Sequence, residues 1–308
     1  MKKTLIALAV LAASGAAMAQ SSVTLYGIAD AGIFKDKGQS ADMRSGGLNS
    51  SRLGFKGTED LGGGLSAIFQ LEQGIDLTSG AASGFGRQAY VGLAGGFGTF
   101  KMGNVYSAYD DIAANAALGF DSGKFDSQDI FGSMGYASNP GSNVYYASPS
   151  FGGFSGAVSS SVNTLKQDST SVHLKYEGGP LYVGLGYQDD SDLAGKGKYT
   201  ILNGSYDFGV AKLLLAYGNS NVAAAGGDTD DVSIGAEVPV GPALVVSVGY
   251  ARSEPDVGAS RSGFTLMGNY SLSKRTIVYA GFRNDNAAAV AAGVGVDSRF
   301  GVGIRHAF

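Results

Sequence analysis

The last ten residues of the chain are Arg299-Phe300-Gly301-Val302-Gly303-Ile304-Arg305-His306-Ala307-Phe308, in which large apolar side chains alternate with small or basic ones. Successive side chains of a β-strand point to opposite faces, so Phe300, Val302 and Ile304 share one face and the two arginines share the other. The period of two therefore predicts an amphipathic β-strand that ends the chain on an aromatic residue.

The start of the chain has the pattern of an export signal. Met1-Lys2-Lys3 precedes an apolar run at 5–13, and the small-residue sequence Ala17-Met18-Ala19 follows. This pattern is typical of a signal peptide, which we expect at residues 1–19. The remaining domain, residues 20–308, has no second apolar stretch of the about 18–20 residues that a membrane helix requires. An exported chain with no such helix and with a final amphipathic strand predicts a transmembrane β-barrel of an outer membrane.

The composition favours a closed sheet and argues against several function classes. Fifty of the 308 residues are glycine, and cysteine and tryptophan do not occur. Glycine inside a strand marks a bend or a close backbone approach, both of which a curved sheet needs. The formal net charge of −4 argues against nucleic acid as a partner. The two histidines, His173 and His306, form no recognisable catalytic pair or metal-ligand pattern, so we expect no enzymatic activity, no cofactor and no metal site. Asp228, Asp230 and Asp231 are expected to form a solvated acidic loop, and a surface site for a divalent cation is the alternative.

Sixteen segments alternate between apolar and polar or small residues, and each is a predicted membrane strand. Short and long connections follow each other in turn, which is typical of an all-β, antiparallel up-and-down barrel with short periplasmic turns and long external loops. The period alone also fits a soluble sandwich with its apolar face inward, but the strand number and the export signal favour the barrel. The predicted strands are 22–34, 50–57, 65–74, 85–93, 98–103, 142–148, 154–163, 170–177, 181–188, 198–208, 210–219, 230–238, 243–252, 262–271, 275–284 and 297–308.

The longest connection, residues 104–141, lies between the fifth and sixth predicted strands and hence on the external side. A structureless connection of this length within a compact fold is uncommon and usually functional. Its aromatic residues, such as Phe125, suit a loop that folds against an apolar surface. We predict that this third external loop folds into the lumen and narrows it, with Asp121, Asp126 and Asp129 as acids of the constriction. A disordered surface loop is the alternative.

Basic residues on the early strands are predicted to face the lumen opposite this loop. Strand parity places Leu53, Phe55 and Tyr90 on the lipid side and the basic residues inside. Bases on one wall and acids on the facing loop would create a transverse field, which sets the selectivity of a pore. Solvated wall pairs of about 0–1 kcal/mol each are the alternative. The predicted basic wall consists of Arg52, Lys56, Arg87 and Lys101.

Several motifs resemble the general-diffusion porins of Gram-negative, beta-proteobacterial outer membranes, and the resemblance covers essentially the whole mature chain. It implies a water-filled barrel of sixteen strands, usually trimeric, with the third external loop inside as an eyelet. Arg52 and Arg87 match the basic wall of that family, and Phe308 matches its signal for the barrel-assembly machinery. The motifs are Ser21-Ser22-Val23-Thr24-Leu25-Tyr26-Gly27, Ser51-Arg52-Leu53-Gly54-Phe55-Lys56-Gly57-Thr58-Glu59-Asp60-Leu61-Gly62-Gly63-Gly64, Arg87-Gln88-Ala89-Tyr90-Val91-Gly92-Leu93, Tyr146-Ala147-Ser148-Pro149, Leu272-Ser273-Lys274-Arg275-Thr276 and Gly303-Ile304-Arg305-His306-Ala307-Phe308.

Two positions depart from the pattern of that family. Asn104 and Tyr145 stand where members commonly carry a basic residue, so the sign of ion selectivity stays open. We predict a homotrimeric channel, surrounded by outer-membrane lipid and lipopolysaccharide, for passive diffusion of small hydrophilic solutes and ions. A substrate-specific channel, an outer-membrane enzyme and a structural anchor or adhesin are the alternatives.

Overall fold

A computed structural model describes residues 22–113, 115, 123–162 and 168–308. The predicted signal peptide and Asp121 lie outside these residues. The strands are β1 (Ser22–Asp36), β2 (Asp42–Ser45), β3 (Arg52–Gly62), β4 (Leu65–Gly74), β5 (Gln88–Gly95), β6 (Gly98–Asn104), β7 (Asn143–Ala147), β8 (Phe154–Ser161), β9 (Thr170–Gly178), β10 (Leu181–Asp189), β11 (Lys198–Asp207), β12 (Lys212–Val222), β13 (Gly227–Val240), β14 (Leu244–Pro255), β15 (Arg261–Ser271), β16 (Thr276–Asp285) and β17 (Arg299–Ala307).

The strands form one closed antiparallel sheet. From β3 onward each strand pairs with the next, and β17 pairs with β1 from Ile28↔Ala307 to Asp36↔Arg299. The four-residue β2 lies in the first long loop. It pairs with the C-terminal part of β1, whereas β3 pairs with the N-terminal part. The barrel wall therefore has sixteen strands, as predicted. Closure gives the backbone groups of the first and last strands partners, which a sheet in hydrocarbon requires.

The barrel is apolar outside and polar inside. Leu185, Leu202 and Ile234 are about half exposed on the outer face. Asn203 and Ser233, one residue away from two of them on the same strands, are buried on the inner face. This is the inverse of a soluble sandwich and agrees with a lipid-facing outer surface. Within the described part of the chain, no helix is long and apolar enough to cross a membrane.

The described part of the long connection between β6 and β7 lies inside the barrel, which confirms the predicted inward loop. Its described part contains one helix, α1 (Asp110–Ala113), and three short 3-10 helices at Gly123–Phe125, Ser127–Ile130 and Gly132–Met134. These segments contact the inner faces of β9 to β16. We call residues 105–142 the lumen loop. A second helix, α2 (Ala287–Ala291), belongs to the connection between β16 and β17.

One facing prediction is wrong. Tyr90 points into the lumen, where its hydroxyl donates to Gln70 Oε1 at 3.0 Å, whereas Val91 is exposed on the outer face. The predicted strand began at residue 85, but β5 begins at Gln88. Arg87 therefore lies before the regular alternation, and it reaches the lumen although strand parity would place it with Val91.

Two predicted external loops, 220–229 and 253–261, are shorter than expected because β12, β13 and β14 continue into them. Side chains paired across neighbouring strands accompany the extended ladder. The Tyr217 hydroxyl donates to Asp230 at 2.8 Å, and the Asn221 amide donates to Asp228 at 2.6 Å. Such pairs stabilise a sheet by about 0.2–1 kcal/mol each, which favours the continuation of these polar segments as strands.

Candidate functional site

Apolar side chains anchor the lumen loop to the barrel wall. Phe125 is fully buried, with its ring centroid 5.6 Å from that of Phe34 and 6.3 Å from that of Tyr279. Ile130 and Phe131 pack in a second cluster against small residues of β12, β14 and α2. A third cluster joins the part of the loop around α1 to β11. Its buried members are Tyr109, Ile112, Ala113, Tyr199 and Ile201.

Carboxylates of the wall accept hydrogen bonds from the backbone of the loop. Asp231 on β13 accepts the backbone N–H groups of Gly132 at 3.2 Å and of Ser133 at 2.7 Å. Asp190, just after β10, accepts the N–H of Ala137 at 2.7 Å. These bonds satisfy backbone donors that would otherwise be buried without partners, which is costly. The loop therefore has a defined position across the lumen.

Arg283 on β16 ties one predicted loop acid to the wall. Its guanidinium is buried and forms ion pairs with Asp129 of the loop and with Asp285 of its own strand, the latter at 2.9 Å. It also donates to the Val294 carbonyl at 3.3 Å. Arg283 was not among the predicted site residues, although its parity on the predicted strand 275–284 places it inside. A buried arginine needs such partners, because an unpaired buried charge is strongly destabilising.

Arg52 and Arg87 of the wall and Asp126 and Asp129 of the lumen loop line one water-accessible cavity of about 490 Å³. The structure thus brings together four of the predicted site residues. Asp110 and Tyr136 of the loop, which were not predicted, line the same cavity, and the Tyr136 hydroxyl donates to Asp110 at 2.7 Å. The opening therefore has basic groups on the wall and carboxylates on the loop.

Tyr106 completes the loop side of the cavity close to Arg87. The Arg87 guanidinium carbon lies 5.9 Å from the centroid of the Tyr106 ring, within the range of a cation–π contact. Burial raises the pKa of the Tyr106 hydroxyl, although the nearby Arg87 opposes the shift. Tyr106 is therefore neutral in the physiological range and adds no charge to the opening.

Glu72 on β4 lies between the two arginines of the wall. Arg87 Nε donates to Glu72 Oε1 at 2.7 Å, and an Arg52 guanidinium nitrogen lies 4.0 Å from the same oxygen. The Tyr26 hydroxyl donates to the other carboxylate oxygen at 2.8 Å. Glu72 was not predicted, although its position on a predicted strand with inward parity was a usable signal. The wall therefore carries less positive charge than its two arginines suggest.

Lys56 and Lys101 do not line this cavity. The Lys56 ammonium lies 5.3 Å from the centroid of the Tyr26 ring. The Lys101 ammonium lies over two rings, 5.1 Å from the centroid of Tyr90 and 4.7 Å from that of Tyr145. Both lysines face the lumen, as predicted from parity, but the structure brings neither to the opening beside Arg52 and Arg87.

The two positions that depart from the family pattern hold neutral side chains with defined partners. The Asn104 amide donates to the Gly86 carbonyl at 2.9 Å. The Tyr145 hydroxyl donates to the Asp111 carboxylate of the lumen loop at 2.6 Å. Neither residue adds a positive charge to the lumen.

A closed barrel with a lipid-facing outer surface, a polar lumen and an internal loop defines a membrane-spanning β-barrel channel. A family profile described as Gram-negative porin matches residues 4–290. The chain belongs to the Gram-negative porin family, and it is an outer-membrane channel for passive diffusion.

Relatives along the whole chain agree with this assignment. Outer membrane porin protein 32 of Delftia acidovorans is 36% identical to this chain in a 364-residue alignment, which covers both chains completely. An outer membrane porin of Bordetella pertussis is 32% identical over 97% of this chain and all of its own. Among solved structures, an anion-selective porin from Comamonas acidovorans superposes with a TM-score of 0.80 at 28% identity, over 94% of this chain and all of the other.

Proposed function

We propose that the opening between the wall and the lumen loop is the constriction of the channel and limits the size of the solutes that pass. Its wall residues are Arg52 and Arg87, and its loop residues include Asp126 and Asp129. The main support for the proposal is the cavity itself, because all four residues line it. A barrel of sixteen strands is wide enough to leave an aqueous channel, so an internal loop is what narrows it.

Permeation then consists of passive diffusion of small hydrophilic solutes and ions without a chemical step. The opposed charges create a transverse field, which low-dielectric walls focus. A dipolar or charged solute orients in this field, and an uncharged one is sorted by width alone. The porin relatives support the view that the chain is a channel and not an enzyme.

The test compares two charge reversals in planar bilayers. Arg52→Glu changes the charge at the constriction by two units and should shift the reversal potential in a salt gradient toward cations. The shift should decrease as salt rises, because the Debye length is about 10 Å at 0.1 M and shorter in stronger salt. Arg275→Glu is the matched control, since Arg275 is exposed at the turn between β15 and β16, at the end of the barrel away from the long loops. Equal shifts from both variants would contradict a constriction at Arg52.

We also propose that residues 1–19 are removed on export and that the mature chain assembles as a homotrimer in outer-membrane lipid and lipopolysaccharide. Phe308, at the end of the last strand, is the proposed signal for the barrel-assembly machinery. Its backbone exchanges two hydrogen bonds of 3.1 Å with Gly27 on β1, so the chain end lies at the closure of the barrel. Unheated samples should migrate on detergent gels as an oligomer that dissociates on boiling, and migration as a monomer before heating would contradict the trimer.

A further inference from the structure

We propose that a second inward segment, besides the lumen loop, shapes the constriction, and that Asp30 on β1 is the residue that positions this segment. The segment consists of residues 46–51, which join β2 to β3, and we call it the inner segment. This role rests on the proposed function, since it concerns the same opening. Asp30 is therefore a positioning residue of the channel, which acts on the opening through the residues that it holds.

The buried carboxylate of Asp30 accepts hydrogen bonds from three consecutive backbone N–H groups of the inner segment. Its Oδ1 accepts from Gly47 at 2.9 Å, and its Oδ2 accepts from Leu48 at 2.8 Å and from Asn49 at 2.9 Å. The Tyr279 hydroxyl of β16 also donates to Oδ1, at 2.7 Å. Hydrogen bonds to a carboxylate are roughly twice as strong as those between neutral groups. One side chain of the wall thus determines the path of three successive residues.

Further hydrogen bonds hold both ends of the inner segment. The Gly46 N–H donates to the Asp30 carbonyl at 2.8 Å, and the Asp30 N–H donates to Ser51 Oγ at 3.0 Å. Between these ends, Arg305 Nε of β17 donates to Asn49 Oδ1 at 2.6 Å. The inner segment is therefore attached to both strands that close the barrel.

The inner segment packs directly against the lumen loop. Leu48 is fully buried in the same apolar cluster as Phe125 of the lumen loop. The backbone N–H of Lys124 donates to the Gly47 carbonyl at 2.9 Å. A Cβ on Gly123, whose φ is +48°, would overlap this carbonyl oxygen, so the close approach requires glycine there. The two inward segments therefore support each other.

The end of the inner segment reaches the constriction. Ser50 is exposed and lines the same cavity as Arg52, the first residue of β3. Arg52 Nε donates to the Ser50 carbonyl at 2.9 Å. The path of the inner segment therefore affects both the width of the opening and the position of the Arg52 guanidinium.

The position of Ser50 can be tested by thiol labelling, because the chain has no cysteine. In Ser50→Cys channels, a methanethiosulfonate reagent that attaches a bulky uncharged group should react and lower the single-channel conductance. Ser260→Cys is the matched control, since Ser260 is exposed in the loop between β14 and β15. This control should react without a comparable loss of conductance, and mass spectrometry checks the modification in both variants.

Asp30→Asn tests the positioning role. The amide has one acceptor oxygen instead of two, and its NH₂ group faces N–H donors. The population of inner segments detached from the wall should rise about tenfold or more for each lost hydrogen bond. We expect a higher mean conductance, faster entry of larger uncharged sugars into liposomes, and a smaller effect of labelling when Asp30→Asn is combined with Ser50→Cys. Uncharged sugars are the probe because the charge removed by the substitution does not act on them.

Asp207→Asn is the matched control for this substitution. Asp207 accepts the Gly209 N–H at 2.7 Å in the short turn between β11 and β12, so the same change is made away from the inner segment. It should leave conductance and sugar entry unchanged. Tyr279→Phe keeps the ring and removes one donor to Asp30, so it is a second variant in case Asp30→Asn assembles poorly. It should change sugar entry in the same direction, but by less.

The Arg52→Glu measurement described above separates a failure of this inference from a failure of the proposed function. Ser50→Cys channels that do not react, or that lose no conductance on labelling, would overturn the inference. Wild-type sugar entry in correctly assembled Asp30→Asn and Tyr279→Phe channels would overturn it as well. In both cases a shift of the reversal potential in Arg52→Glu would leave the proposed constriction standing, whereas the absence of that shift would overturn the proposed function together with the inference.

Discussion

Phe125 is the side chain that most directly tests whether the lumen loop controls the width of the pore. It is fully buried between Phe34 and Tyr279, and its ring lies directly over the backbone of β16. A Cβ placed on Gly281 would meet that ring at 2.8 Å, so the strand is free of a side chain where the ring packs. Replacement by alanine removes the main apolar anchor of this part of the loop.

The expected magnitude follows from the burial. Truncation of a buried Phe to Ala costs about 3–5 kcal/mol in a packed core. Water in the lumen can fill part of the space, so we expect the lower end of that range. Because 1.4 kcal/mol corresponds to a factor of ten, the population of loops detached at this point should rise about a hundredfold. The barrel itself should stay intact, since its strand pairing does not depend on the ring.

Single-channel recording in planar bilayers measures this effect. Phe125→Ala should give a noisier open channel with a higher mean conductance, and liposome-swelling assays should show faster entry of larger sugars. Phe264→Ala is the matched control, because that ring is 39% exposed on the outer face of β15. If correctly folded Phe125→Ala channels have the conductance and noise of the wild type, Phe125 does not hold the loop and the constriction is anchored elsewhere.

Two further predictions concern the loop tie and the chain end. Arg283→Met should leave the buried Asp285 without its charged partner, at a cost of about 3–5 kcal/mol, so the variant should unfold in less urea than the wild type. Arg252→Met, which removes an exposed ion pair, should not. Equal urea midpoints of unfolding for the two variants would contradict a stabilising role of Arg283. Deletion of Phe308 removes a ring that is 46% exposed, so the lost burial energy is less than the about 1.5–3 kcal/mol of a fully buried ring. The amount of assembled trimer should nevertheless fall far more than in the control Phe300→Ala. Equal trimer levels would argue against an assembly signal.

The alternation of side chains along each strand determined most of the architecture without any tertiary information. A period of two is a local property of extended backbone, so the strand from Leu65 to Gly74 and its fifteen partners could be located from sequence alone. The length and aromatic content of the segment after β6 were equally local, and they predicted the lumen loop. Arg52, Arg87, Asp126 and Asp129 belong to a predicted set of opposed charges on a wall and a loop. That set also included Lys56 and Lys101, which do not line the cavity, and Asp121, which lies outside the described residues.

Only the tertiary structure decided which charges meet. Glu72 neutralises the arginines, and Arg283 holds Asp129, because strand register and loop path place residues from distant parts of the sequence within hydrogen-bond distance. Tyr90 faces the lumen although Arg87 does too, because Arg87 lies before β5 and outside its regular alternation, so the side chain of Arg87 does not set the facing of the strand. Register, strand ends and loop packing are set by contacts across the barrel, so the charge balance of the constriction could not be determined from the sequence alone.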